Sequence, residues 1–232
     1  MPKESAGSKE RRRDKVSARV RRRLSPELRR GQIMDAAVKL VVAQGFLPLP
    51  IERLAQDAGA SKALIYTYFP TQYDLFNTLL ERELNALAVG GLDTAARVDN
   101  LEQALVLCGM LYFEHVVQYG PLLHILLSDL YMAGHINARI TNVADAMSQN
   151  LVRLMRASLS LSKKEALAAI EMLASIPEEA GSLAFHGDME AVNARTLCRE
   201  LTLSCLQGLR SADEVIARLG EGDGALKNHR QA

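Results

Sequence analysis

The chain has 232 residues, 48% of them apolar, enough for one large domain or two small ones around a real core. Only 5% are aromatic, Trp is absent, and Leu and Ala dominate, so the composition leans away from strands and toward an all-α fold. A net charge of +1 conceals an asymmetry: 12 basic and 4 acidic residues in 1–30, three of each in 31–70, and 13 basic against 20 acidic in 71–232. The charge that attracts a polyanion therefore sits at one end.

Residues 1–24 are mostly polar and hold two arginine blocks, Arg11–Arg13 and Arg21–Arg23. Such a segment buries too little apolar surface to fold alone, so a disordered basic arm is expected. Ser25-Pro26-Glu27 then opens a helix, with Ser as cap and Pro where its missing N–H is harmless. Ile33, Ala36, Ala37, Leu40 and Val41 form its apolar face, and Gly45 ends it. Pro50 starts a short helix over 51–58 that Gly59 breaks; Ser61 caps another over 62–69 that Pro70 stops. Thr71 and Asp74 have capping-box spacing and open a helix to about residue 88. Further helices are expected from the Asp99–Glu102 start to 118, over 122–133, from after Gly134 to 158, from Ser162 with a kink at Pro177, and from Asp188 to 209. A short last helix from Ser211 precedes a Gly-rich tail over 220–232, expected to be disordered. No strand pattern and no internal repeat are found. The domains expected are an arm (1–24), a three-helix unit (25–70), a helical bundle (71–219) and the tail.

Residues 51–69 place two short helices either side of a Gly-containing turn of about three residues, the spacing of a helix-turn-helix. Leu54, Ala60, Ile65 and Phe69 fill its small core, leaving Lys62, Ala63, Tyr66, Thr67 and Tyr68 on the outer side. Together with Ile33, Ala36, Ala37, Leu40, Gly45-Phe46, Ala58-Gly59-Ala60-Ser61, Tyr68-Phe69 and Asp74-Leu75, this segment resembles the DNA-binding domain of the TetR family of regulators. The resemblance runs from about Arg30 to Leu80, about a quarter of the chain. It implies an N-terminal helix-turn-helix domain followed by a variable helical domain that binds a small molecule and forms a dimer.

The same resemblance implies a DNA face made of Ser61, Lys62, Ala63, Tyr66, Thr67, Tyr68 and Gln72. Hydroxyls and Lys reach phosphate oxygens, and Thr and Ala methyls meet thymine methyls. Packing is the competing role for Tyr66 and Tyr68. Three positions depart from the family pattern: Pro50 where Thr is frequent, Gln72 where Lys is usual, and Leu64 where a small or hydroxyl residue is usual. The first two remove phosphate contacts. The arm residues Arg19, Arg21, Arg22 and Arg23 are expected to compensate by lying along the DNA, a merely solvated tail being the alternative.

A domain of this kind reads one half-site, so a homodimer on palindromic double-stranded DNA is expected. The dimer face is assigned to the last two long helices, with Leu197, Leu201, Cys205 and Leu209 in the contact; an internal core face would show the same pattern. Tyr112, His115, Tyr119, His124, Tyr131, Met147 and Met155 are candidates for a ligand cavity, each also readable as plain core. Their low charge suits an apolar effector. Cys198 and Cys205, seven apart and so about 10 Å along one helix face, are too distant for a disulfide. With Cys108 they read as small helix-interface residues, with redox sensing the minor alternative.

No Gly-rich phosphate loop, HExxH or nucleophile elbow occurs, and the pairs Glu114-His115 and Glu178-Glu179 read as surface or structural. No catalysis, cofactor or metal is expected. No stretch nears the roughly 20 apolar residues of a membrane helix, and the N-terminus lacks the apolar segment of a signal peptide. A soluble, cytoplasmic protein without membrane contact is expected. The overall expectation is a dimeric repressor released from its operator by a small, largely apolar ligand. The alternative is a DNA-binding protein of the same type without such a ligand, controlled by a protein partner or organising DNA.

Deleting residues 1–24 should weaken DNA binding. It should also flatten the slope of log affinity against log salt by about one unit per lost phosphate contact. An unchanged slope in titrations across salt concentrations would leave the arm in solvent.

Overall fold

A computed structural model describes residues 25–228, apart from the side chains of 147 and 212–228. The described residues form α-helices and one short 3-10 turn, without strands. None of these helices is long and apolar enough to cross a membrane. In chain order they are α1 Pro26–Gln44, α2 Ile51–Asp57, α3 Lys62–Tyr68, α4 Gln72–Val89, α5 Leu92–Ala96, α6 Leu101–Tyr119, α7 Leu122–Ser128, α8 Ala138–Leu159, α9 Lys163–His186 and α10 Ala191–Asn228.

Local chemistry sets most of the boundaries. The Ser25 hydroxyl caps α1 by accepting the Leu28 N–H, and Gly45 ends it in the left-handed conformation at φ 77°. Thr71 with Asp74, and Ser162 with Glu165, close reciprocal capping boxes at the starts of α4 and α9.

Four details differ from the sequence reading. Residues 92–96 form an extra helix, five residues long behind a left-handed Gly91. The cap of α6 is Asn100, one residue after Asp99, because the Asn100 side chain is the one that accepts the Gln103 N–H. The expected helix over 122–133 is divided at Asp129, whose backbone is extended and whose carboxylate caps the 3-10 turn Leu130–Met132. The last helix continues through Ser211 and Gly220 to Asn228. Extending a formed helix is easy, and a glycine weakens it by about 1 kcal/mol without breaking it. Pro177 likewise sits inside α9, which runs on past it.

Two main cores form. In the first, Ile33, Ala37 and Val41 of α1 meet Leu54 of α2, Ile65 of α3 and Phe69. Leu75, Phe76, Leu79 and Leu80 of α4 and Leu122 and Leu126 of α7 close it. The apolar interior of the three N-terminal helices therefore continues across residue 70 into the helices that follow. The second core joins α6, α8, α9 and α10 through Leu105, Met155, Leu159, Leu173 and Leu206.

At Gly181 of α9 the approach to α6 is tightest. A Cβ there would lie 2.7 Å from the Val116 Cβ and 3.1 Å from the Phe113 carbonyl oxygen. Gly181→Ala should therefore lower the melting temperature by overpacking, at a cost of about 1–3 kcal/mol. Gly31→Ala on α1, where nothing lies within 4 Å, should be neutral or raise it. Thermal denaturation followed by circular dichroism checks the pair.

Candidate nucleic-acid interface and ligand cavity

The seven residues of α3 divide cleanly by face. Ile65, with Phe69 just beyond the helix, is buried in the first core, and the Ser61 hydroxyl caps the helix by accepting the Leu64 N–H at 3.1 Å. Lys62, Ala63, Tyr66 and Thr67 are exposed on the other side. The Thr67 hydroxyl donates to the Ala63 carbonyl at 2.9 Å and keeps its lone pairs available. Lys62 is paired with Glu52 of α2, and this contact holds the Glu52 carboxyl below its usual range.

Two residues expected on the DNA face are engaged with the protein itself. Tyr68 is half-buried, packed against the first core. Gln72 faces the protein: its Nε2 donates to the Leu49 carbonyl at 3.0 Å and its Oε1 accepts the Leu49 N–H at 2.9 Å. Leu49 sits in an irregular, half-buried segment whose backbone groups need partners, and Gln72 supplies both. Pro50 is the cap residue of α2 and makes no side-chain bond. Arg19, Arg21, Arg22 and Arg23 lie outside the described residues.

The segment between α1 and α2 is held from three sides. Gln72 grips Leu49, Gln44 Nε2 donates to the carbonyls of Phe46 and Pro48, and Asp129 Oδ2 accepts the Leu47 N–H at 2.9 Å. Asp129 directly follows α7, so this last bond ties α7 to the segment that positions α2 and α3. Asn77 of α4 fixes the next connection, donating to the His135 carbonyl and accepting the Asn137 N–H.

A cavity of about 670 Å³ opens between α4, α6, α7, α8 and α9. Leu84, Leu87, Leu105, Leu123, Leu151 and Ile170 form much of its wall. Tyr112 of α6, His124 of α7 and Glu178 of α9 supply polar groups. Burial and then the Glu178 carboxylate push the Tyr112 phenol up, so it stays protonated.

Of the expected cavity residues, Tyr112 and His124 line it. His115 lies one turn beyond Tyr112 and is buried against Glu83 of α4, with Nε2 and Oε2 3.0 Å apart but not aligned as a hydrogen bond. Burial pushes the Glu83 carboxyl up, but His115 and Arg82 outweigh it and hold it below its usual value. Arg82 continues the chain to Asp35 of α1 at 3.1 Å. Tyr119 is exposed at the end of α6, beside His115. Tyr131 stacks on Tyr73 with ring centres 4.7 Å apart. Met155 is fully buried in the second core. The Met147 side chain lies outside the described residues. The sequence reads Glu178 as surface or structural, because nothing in a Pro-Glu-Glu string tells which glutamate faces inward.

Along α10 the apolar stripe splits in two. Ala194, Cys198, Thr202 and Leu206 face inward, whereas Leu197, Leu201, Cys205 and Leu209 are exposed. Cys198 and Cys205 share a direction, yet only Cys198 is covered. Burial raises the thiols of Cys108 and Cys198 to about 11, which leaves them protonated. Val192 and, on α9, Met172 and Phe185 are exposed as well.

Residues 33–79 match the family described as bacterial regulatory proteins, tetR family. The chain is 36% identical over 64 residues to the HTH-type transcriptional repressor SCO4008 of Streptomyces coelicolor, covering 28% of this chain and 33% of that one. It is 33% identical over 88 residues to the HTH-type transcriptional activator FasR of Mycolicibacterium smegmatis, covering 37% and 40%. It thus spans only a third to two fifths of these relatives' length. Among solved structures, a TetR-like transcriptional regulator from Rhodococcus sp. RHA1 shares the fold with a TM-score of 0.59 at 20% identity, over 80% of this chain and all of that one. The regulator FadR from Bacillus subtilis, solved with stearoyl-CoA, has a TM-score of 0.53 at 18% identity, over 78% and 97%.

Glu178 gives the cavity a pH signature. Burial, then the neighbouring Glu179 carboxylate, raises its carboxyl to about 7. Tyr112 and His124 face it from α6 and α7, and Glu171 lines the cavity two turns earlier on α9. Because the folded value lies above the unfolded one, the protonated form favours folding. That contribution is full below the usual carboxylate range and is lost as pH rises through about 7. Glu178→Gln should accordingly melt about 2–4 °C above wild type at about pH 8, with the two converging near pH 5. A melting difference that does not vary with pH would count against this.

Proposed function

From its place in the TetR family of bacterial regulatory proteins, carried by its DNA-binding domain, we propose that this DNA-binding regulator works as a homodimeric repressor that leaves a palindromic operator when a small, largely apolar ligand fills the central cavity. The observation that carries this reading is the bond between Asp129 and the Leu47 N–H. Leu123, His124, Leu127 and Ser128 of α7 line the cavity, and its C-terminal end leads to the segment that aims α2 and α3. A ligand that shifts α7 shifts the DNA-contacting helices with it. Its free energy for doing so is its difference in affinity between the DNA-competent and released conformations.

In this reading Ala63, Tyr66 and Thr67 meet base edges and phosphates, and Lys62 joins them on separating from Glu52. Supporting the dimer is the exposed apolar set Leu197, Leu201, Cys205 and Leu209, continued by Val192 and Met172, too large an apolar surface to leave in water without purpose. Two such helix pairs would form a four-helix contact. The apolar wall and volume of the cavity fall in the range of small-molecule sites. The neighbour FadR from Bacillus subtilis was solved with an acyl-chain ligand, stearoyl-CoA.

Selection of genomic fragments by the purified protein tests the proposal. The recovered sites should be inverted repeats. Tyr66→Ala and Thr67→Ala should lose affinity for them, by about 1–3 kcal/mol where a base contact is removed. Leu201→Glu should yield monomers in analytical ultracentrifugation that no longer bind the full site. Recovery of asymmetric sites, or a Leu201→Glu protein that stays dimeric, would count against the dimer as drawn.

A further inference from the structure

We propose that the cavity takes an apolar molecule ending in a protonated amine, and that the Glu178 carboxylate receives that amine in place of His124. The proposal rests on the ligand-responsive reading above and narrows it to one chemical class.

The charges around the cavity select this class. Its lining includes the carboxylates of Glu171 and Glu178 and not one Lys or Arg. An anionic head, carboxylate or phosphate, would sit beside like charges with no fixed cation to answer it, a costly arrangement once water is excluded. A neutral alcohol would find hydrogen-bond partners but no opposite charge.

Glu178 is also poorly provided for. Its side chain is only 14% exposed, yet the single basic group that meets it among the described residues is the His124 imidazole, Nδ1 to Oε2 at 2.9 Å. The neighbouring Glu179 adds repulsion, and together with burial it keeps the carboxyl up at about 7. An ammonium group makes charge-assisted hydrogen bonds to such a carboxylate and restores its ionised form. His124 is 53% exposed, so it turns to water when displaced and strands no charge. The Tyr112 phenol, held protonated, lies alongside Glu178 to orient the head group. The leucines named above then receive the apolar body.

The exchange has a direction. His124 belongs to α7, so an amine that takes its place breaks the link between α7 and α9. The link at the far end of α7, from Asp129 to Leu47, is then less firmly anchored.

Calorimetric titration of the full-length protein with three probes of equal chain length, decylamine, 1-decanol and decanoate, below their micellar concentrations at about pH 8, tests this. Decylamine should bind about tenfold or more tighter than decanol, with decanoate weakest. Glu178→Gln should weaken decylamine about tenfold while decanol stays within about threefold, and Glu178→Asp should keep the preference for amine over decanoate. Wild-type affinity for decylamine should rise between pH 6 and 8. Decanoate binding as tightly as decylamine to the wild type, or an unchanged decylamine affinity in Glu178→Gln, would overturn the amine assignment and leave an apolar ligand in place. Failure of all three probes to bind the wild type would overturn the ligand-responsive reading together with it.

Discussion

The helix α3, proposed above to face DNA, has seven residues, well below the length at which a helix holds itself together in water. Its rigidity is borrowed. Ile65 and Phe69 anchor its inner side among Ile33, Ala37, Leu54 and Phe76, and the Ser61 hydroxyl accepts the otherwise free Leu64 N–H. That anchorage lets short side chains such as Ala63 and Thr67 hold fixed positions on the outer side. In the proposed complex, every contact of α3 with DNA rests on apolar residues that stay in the core.

The same core explains why the helix-turn-helix unit and the helical bundle that holds the cavity are not independent here. Leu122 and Leu126 of α7 pack among the residues that support α2 and α3, and Asp129 adds a directional bond to Leu47. Apolar contact alone allows sliding, whereas a hydrogen bond donated by one backbone N–H to a carboxylate fixes register. A second route runs from buried His115 through Glu83 and Arg82 to Asp35 of α1. Both routes leave the helical bundle and end on the segments that carry the helix-turn-helix.

How much of this was legible in the sequence depended on distance along the chain. The caps at Ser25 and Ser61, the stop at Gly45 and the capping boxes at Thr71 and Ser162 act over three or four residues and are legible in the sequence, whereas the cap at residue 100 and the continuation past Gly220 are not. The inner and outer faces of α3 followed from helical periodicity, with Tyr68 the exception because the neighbouring helices decide its burial. Gln72 shows the limit most clearly. Its polarity and place in the family pattern pointed to DNA, but its amide is spent on Leu49, 23 residues away in the chain. Cavity membership was equally hidden. Tyr119 and Tyr131 are aromatic like Tyr112, yet only Tyr112 looks into the cavity, since which turn of a helix faces a void is set by packing between helices. Glu178 had no local mark at all.

The pair between Lys62 and Glu52 bears on how such a protein searches a genome. Attraction to the phosphate backbone is the same at every site, so it lengthens each stay at wrong sequences as much as at the right one. If the α2–α3 face meets DNA as proposed, it does so with its one lysine paired to a carboxylate until contact is made, so its sequence-blind attraction is reduced while its methyl and hydroxyl groups stay available. The ratio of specific to non-specific residence rises as the absolute grip falls. On the proposed function, the decision to stop at a site then falls to the side chains of α3 rather than to their charge.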